Sequence, residues 1–150
     1  MHRLVYLLLA TLLTTTAASS PLAESEQGTT PVGVWMHASE RVEVEITPCG
    51  ERFCGRIVWL SWLDDPQDMP MVDLKNSNPI LRTRPLVGLI VLRDLRRADA
   101  NSWVDGKIYN PADGNDYSVQ LSIQKDGHLR VRAYVLNPLI GQTQVWSRVA

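Results

Sequence analysis

The sequence predicts an all-β chain folded as one small eight-stranded antiparallel up-and-down barrel. Two observations predict it. Apolar and polar residues alternate with a period of two over three long runs, and the segments between runs carry residues suited to tight hairpin turns.

The first run lies at 41–47, with Val42, Val44 and Ile46 on one face and Glu43, Glu45 and Thr47 on the other. The second sets Tyr117, Val119, Leu121 and Ile123 against Ser118, Gln120 and Ser122. The third sets Leu129, Val131, Ala133 and Val135 against Arg130, Arg132 and Tyr134. Lys125-Asp126-Gly127 reads as a three-residue hairpin loop with glycine in the left-handed position, and Pro111-Ala112-Asp113-Gly114 as a four-residue loop opened by the fixed φ of proline. Less regular apolar segments complete the set, giving strands at 33–38, 41–47, 53–62, 87–95, 102–109, 116–124, 129–136 and 143–149. Closing eight such strands leaves no exposed edge, which favours a barrel over the alternative, an open sandwich. One connection is long: 64–84 holds Pro66, Pro70 and Pro79, and Asn78 before Pro79 suits the cap of a short helical turn.

The N-terminus has the layout of a secretory signal. Arg3 precedes an apolar run from Leu4 to Leu13, followed by a Thr/Ala/Ser stretch to Ala23. Ten apolar residues cannot cross a hydrocarbon core that needs about 20 in helical form. The expected organisation is a signal peptide at 1–23, a short segment at 24–32 and a barrel domain at 33–150, in an exported, periplasmic protein that does not span the membrane. The mature chain then holds 14 basic and 16 acidic side chains, a balance of −2 that argues against nucleic acid as a partner. Twelve of the fifteen basic residues are arginine, a side chain suited to planar ion pairs and to stacking on aromatic faces.

Gly33-Val34-Trp35 opens the first strand and Trp146-Ser147-Arg148 closes the last. A Gly-x-Trp on the first strand, with an arginine from the last packed over the indole, resembles the signature of lipocalin and avidin-like (calycin-type) barrels. Closure is therefore the role expected of Gly33, Trp35, Trp146 and Arg148, since a cation over an indole contributes about 0.5 to 2 kcal/mol. A wider match rests on Cys54-Gly55-Arg56-Ile57-Val58-Trp59-Leu60, on Asn78-Pro79 with Arg82, Arg84, Pro85, Leu86 and Gly88, on Gly106-Lys107-Ile108-Tyr109-Asn110-Pro111 with Asp113 and Gly114, and on Gly141 to Arg148. These phrases resemble the exported bacterial family catalogued as domain of unknown function 2147. The resemblance implies a Gram-negative periplasmic setting and a lipocalin-like barrel, and it implies no established activity.

Cys49 and Cys54 bracket a turn between two strands, at the separation of opposed hairpin positions, so an oxidising compartment should bridge them. Their spacing suits neither a zinc site nor a redox pair, and His37 and His128 stand alone, so no metal and no cofactor are expected. Asp64, Asp65, Asp68 and Asp73 lack the spacing of a calcium loop and read as a solvated acidic connection.

Arg82 and Arg84, two apart in extended chain, would point to one side and could grip a carboxylate or phosphate head group. Alternatively they pair with Asp64, Asp65 or Asp73 and pin the connection to the barrel rim. Catalytic residues are not expected: the sequence has no nucleophile elbow, no phosphate loop and no ordered triad.

Two functions follow. The first is a periplasmic lipocalin-like protein that binds a small apolar or amphiphilic ligand with Arg82 or Arg84 near its polar end. The alternative is a filled barrel acting as an envelope protein-interaction or structural module, with Trp59, Trp62 and Trp103 exposed. Neither reading is an enzyme. A cavity above about 300 Å³ would favour the first; a filled interior with an apolar outer patch would favour the second.

Overall fold

The computed structural model describes residues 29–61 and 71–149. The expected signal peptide, Trp62 and the acidic residues Asp64, Asp65 and Asp68 lie outside them. Among the described residues eight strands close into one barrel, each antiparallel to its neighbours and joined in sequence order. They are β1 (Gly33–Met36), β2 (Val42–Cys49), β3 (Arg52–Leu60), β4 (Ile90–Arg97), β5 (Ser102–Asn110), β6 (Asn115–Ile123), β7 (Leu129–Tyr134) and β8 (Gly141–Arg148). The expected turns are there. Gly127 and Gly114 take positive φ in the loops after β6 and β5, and Asn78 caps a 3-10 turn at Pro79–Thr83 by accepting from the Ile80 amide at 3.1 Å.

β4 and β5 do not alternate cleanly. Asp94 and Asp105 adopt left-handed backbone at φ 63° and 62°, which aspartate tolerates better than most residues. Each acts as a bulge that shifts the phase of its strand by one residue. Leu92 and Leu95 therefore both face inward, as do Trp103 and Gly106. This corrects the expectation for Trp103, whose indole is fully buried rather than exposed. Trp59, paired with Glu43 on the outer face, is partly exposed as expected.

Three indoles, Trp35, Trp103 and Trp146, lie in the axis with Ile46, Leu92, Leu95, Val119, Leu121, Leu129 and Val131. Close packing there leaves little slack: a methyl added at Gly55 would stand 2.9 Å from Leu92 and 3.1 Å from Val44.

One end is sealed by residues 29–32, which cross beneath the strands. Each of their carbonyls receives a donor: Thr29 from Arg97 Nη2 at 2.9 Å, Thr30 from Arg148 Nη2 at 3.3 Å, Pro31 from Trp35 Nε1 at 2.8 Å and Val32 from Arg148 Nη1 at 2.9 Å. The same two arginines stack on indoles, Arg148 4.2 Å from the Trp35 centroid and Arg97 5.1 Å from that of Trp103. Gly33, at φ 138°, has no room for a side chain because the Arg148 guanidinium occupies the place of a Cβ. Cys49 and Cys54 are bridged at this end, with Cα atoms 5.8 Å apart. They sit diagonally rather than opposite: the register sets Cys49 against Arg52 and Cys54 against Thr47.

Candidate functional site

The other end is ringed by the β1–β2, β3–β4, β5–β6 and β7–β8 connections, and it holds the polar groups that sequence reasoning singled out. After β3 the chain returns to view at Met71 and forms a strap. Val72 bridges to Pro85, the Asp73 amide donates to the Arg84 carbonyl at 3.0 Å, and the Leu86 amide to the Met71 carbonyl at 2.9 Å. The strap lies on the outer wall. The register pairs Ile108 with inward Leu92 and with Tyr117, so the adjacent Tyr109 faces outward, where the strap buries it.

Under the strap sits Asp73, 0% exposed. This corrects the expectation of a solvated acidic residue at that position. Its Oδ1 accepts from the Tyr109 hydroxyl at 2.6 Å, and its Oδ2 from Asn76 Nδ2 at 2.8 Å and Arg84 Nε at 2.9 Å. Arg84 Nη2 lies 2.7 Å from the same oxygen, and the guanidinium stands 5.8 Å from the Tyr109 ring centroid. Burial alone would raise the Asp73 pKa, but the hydrogen bonds from Tyr109, Asn76 and Arg84, with the Arg84 charge, outweigh it and hold the carboxyl below its ordinary value. Tyr109 is pushed up, by burial first and by the neighbouring carboxylate second.

Arg84 makes the pairing with Asp73 that the second sequence reading offered, but Arg82 and Arg84 do not form a pair pointing to one side. Arg82 belongs to the 3-10 turn rather than to extended chain, and its Nε donates to the Asn76 carbonyl at 2.8 Å. Both guanidinium groups thus turn back onto the 73–76 stretch of their own strap.

A second polar set lines the mouth from inside. Gln144 pairs with Val131 and Gln142 with Ala133, so both residues stand on the inward face beyond Trp146, Gln142 exposed at the mouth. Gln144 Oε1 accepts from Trp146 Nε1 at 3.0 Å. His37 rests on Trp146, ring centroids 5.5 Å apart, and its Nδ1 accepts from the Ser39 amide at 3.0 Å. Burial lowers the His37 pKa, a hydrogen bond with Gln144 opposing it in part, so the ring is neutral at pH 7.

Beside the mouth the β7–β8 connection carries Leu136 and Leu139 at 90% and 91% exposure, with Val135 and Ile140 half out. Two concavities lie elsewhere. One of about 180 Å³ is bounded chiefly by outward residues such as Ser102, Gln120, Arg130 and Arg132, and one of about 340 Å³ by Asp126, His128 and Arg148 at the sealed rim.

The family model described as an uncharacterized protein conserved in bacteria (DUF2147) matches residues 33–148, from the first strand to the last. The chain belongs to this family. The DUF2147 chain is also similar in structure to protein HP1028 from Helicobacter pylori, described as belonging to the lipocalin family. That similarity has a TM-score of 0.69 at 25% identity, over 79% of this chain and 82% of the other. No curated protein matches the chain. The lipocalin-like barrel read from the sequence is thus the observed fold.

Asn76, Tyr109, Gln144 and the mouth position of His37 were missed as site residues, while Asp73 was named only as one of three possible partners for the arginines. Only Asp105-Gly106, a turn-like pair inside an apolar run, could have signalled that Tyr109 changes face.

Proposed function

We propose that this chain is a non-catalytic, periplasmic barrel that works as an interaction module through the connections at its open rim, not by enclosing a ligand in its axis. The observation that carries the reading is the filled axis, in which three fully buried indoles and a ring of aliphatic side chains take the space that a ligand would need. The rim supplies the contrast: the strap is ordered by a buried ion pair, and an apolar hairpin tip stands out beside it.

The test is association with the cell envelope. After export and osmotic release, the wild-type protein is expected to fractionate largely with membranes, and Leu136→Asn/Leu139→Asn to shift to the soluble fraction at unchanged melting temperature. Equal partitioning of the two proteins would refute the rim as the working surface.

One observation favours a second reading. His37, Gln142, Gln144 and Ala133 form a mouth with polar groups above an apolar floor, and the structural neighbour is described as a lipocalin. A short amphiphile could lodge there with its head toward the strap. Arg84 would then have to leave Asp73 for an anionic head group, which the geometry opposes. Native mass spectrometry of protein taken from its own periplasm decides between the two: the first reading expects the bare mass, and a stoichiometric small molecule of defined mass establishes the second.

A further inference from the structure

The β7–β8 connection is built unlike the other hairpins. Between Arg132 and Arg148 the sequence has fifteen residues without a charge, and at the tip Leu136 and Leu139 turn their whole side chains to solvent. Leu136 holds this position at φ 67°, a left-handed conformation that a leucine rarely adopts. A strained, fully exposed leucine contributes nothing to the barrel's own core.

The tip satisfies most of its own backbone, the amide and carbonyl of Leu136 excepted. The Val135 amide donates to the Ile140 carbonyl at 3.1 Å, Asn137 to Val135 at 2.8 Å and Ile140 to Asn137 at 3.1 Å, while the Leu139 amide donates to Asn137 Oδ1 at 2.9 Å. Arg132 reaches up from β7 and donates to the Pro138 carbonyl from Nε at 2.9 Å and from Nη2 at 2.7 Å. Arg130 lies one step lower on the same outer face, and the neighbouring outward positions Gln120, Ser122, Thr143 and Val145 carry no acid.

These features fit one kind of occupant. We propose that the β7–β8 tip inserts its aliphatic side chains into the surface of an anionic lipid bilayer, with Arg130 and Arg132 at the level of the head groups. A bilayer offers the tip no hydrogen bonds, and the tip's backbone, paired at every amide but that of Leu136, asks for few. Basic side chains behind an apolar edge are the arrangement that interfacial insertion uses, to a depth of about 5 to 10 Å. A second copy of the chain is a poorer fit, because six tip residues fall well short of the roughly 20 to 30 per side of a stable protein interface. The inference rests on the rim as the working surface and names its partner.

The experiment is vesicle flotation of the purified, exported protein. One set of vesicles is phosphatidylethanolamine with about a third phosphatidylglycerol, and the other is phosphatidylcholine alone. The expected result is flotation with the anionic set, at least five-fold less with the neutral set, and loss of most of the bound fraction between 50 mM and 300 mM salt. Leu136→Asn/Leu139→Asn should reduce flotation ten-fold or more without lowering the melting temperature, since asparagine accepts left-handed backbone better than leucine. Leu139→Trp supplies a second readout. Its added emission should shift to the blue on anionic vesicles and be quenched by lipids brominated near the head of the chain. Failure of the wild type to float with either set overturns the proposal, and so does equal flotation of the Asn variant. If vesicles do not bind while the Asn variant still leaves the envelope fraction, the partner is a protein and the rim reading survives alone.

Discussion

Replacing Arg84 with alanine separates a side chain that pins the strap from one that waits for a ligand. The change removes the counter-charge of a carboxylate that is 0% exposed and two contacts to its Oδ2, at 2.9 and 2.7 Å. Breaking a buried ion pair by deleting one partner costs about 3 to 5 kcal/mol. Here the cost falls toward or below the low end, because the Arg84 side chain is 34% exposed and Tyr109 and Asn76 still donate to the stranded carboxylate. We expect roughly 2 to 3 kcal/mol, a drop of about 8 to 12 °C in melting temperature for a domain of this size. Arg82→Ala removes one hydrogen bond to a backbone carbonyl and should cost about 1 kcal/mol. The assay is urea unfolding followed by circular dichroism at pH 7, with limited proteolysis of the strap as a local readout. Asp73→Asn should lose stability at pH 7, and its gap from wild type should narrow on acidification. The sign follows from the lowered Asp73 pKa: the carboxylate's contribution is full above its unfolded value of about 3.9 and is lost as pH falls through the folded one. An Arg84→Ala cost below about 0.5 kcal/mol, with no new cleavage between 71 and 89, would refute the pinning role and return Arg84 to the ligand-gripping reading.

Three further outcomes are expected. His37 is held neutral by burial, so the unfolded chain takes up its proton first and stability should decline as pH falls below about 6.5; His37→Gln should flatten that decline in pH-dependent unfolding curves. Replacing both Cys49 and Cys54 by serine should cost about 2 kcal/mol, the loop entropy of a short ring, and leave the circular dichroism spectrum unchanged. Arg148→Ala and Trp35→Leu should be coupled by about 0.5 kcal/mol or more in a double-mutant cycle read by thermal unfolding, and strict additivity would deny the stack at 4.2 Å any energetic role.

The barrel was legible where strands alternate and turns have chemistry. β2, β6 and β7 show a clean period of two, and glycines at 114 and 127 mark the loops that join their neighbours. β4 and β5 were harder, because Asp94 and Asp105 each insert a left-handed residue and reverse the faces beyond it. Read with a strict period of two, Trp103 and Ile108 fall on opposite faces; in the structure both belong to the inside. Sequence reasoning therefore placed Trp103 outside and left a filled interior and a ligand cavity both open, where the structure fills the axis with indoles.

The same two bulges decide what the arginines do. With the phase of β5 reversed, Tyr109 faces outward and its hydroxyl becomes available to a carboxylate that approaches from outside the barrel. Asp73 is that carboxylate, and once buried it requires a cation, which Arg84 supplies from the returning limb of the strap. Gripping an external head group and neutralising Asp73 are competing uses of one guanidinium, and the second is made at 2.7 Å within the chain itself. Leu136 and Leu139 are the most exposed large apolar side chains at this end, standing among charged groups such as Glu40, Lys75 and Asp113, and they point the search for a partner at the hairpin tip rather than at the arginine pair.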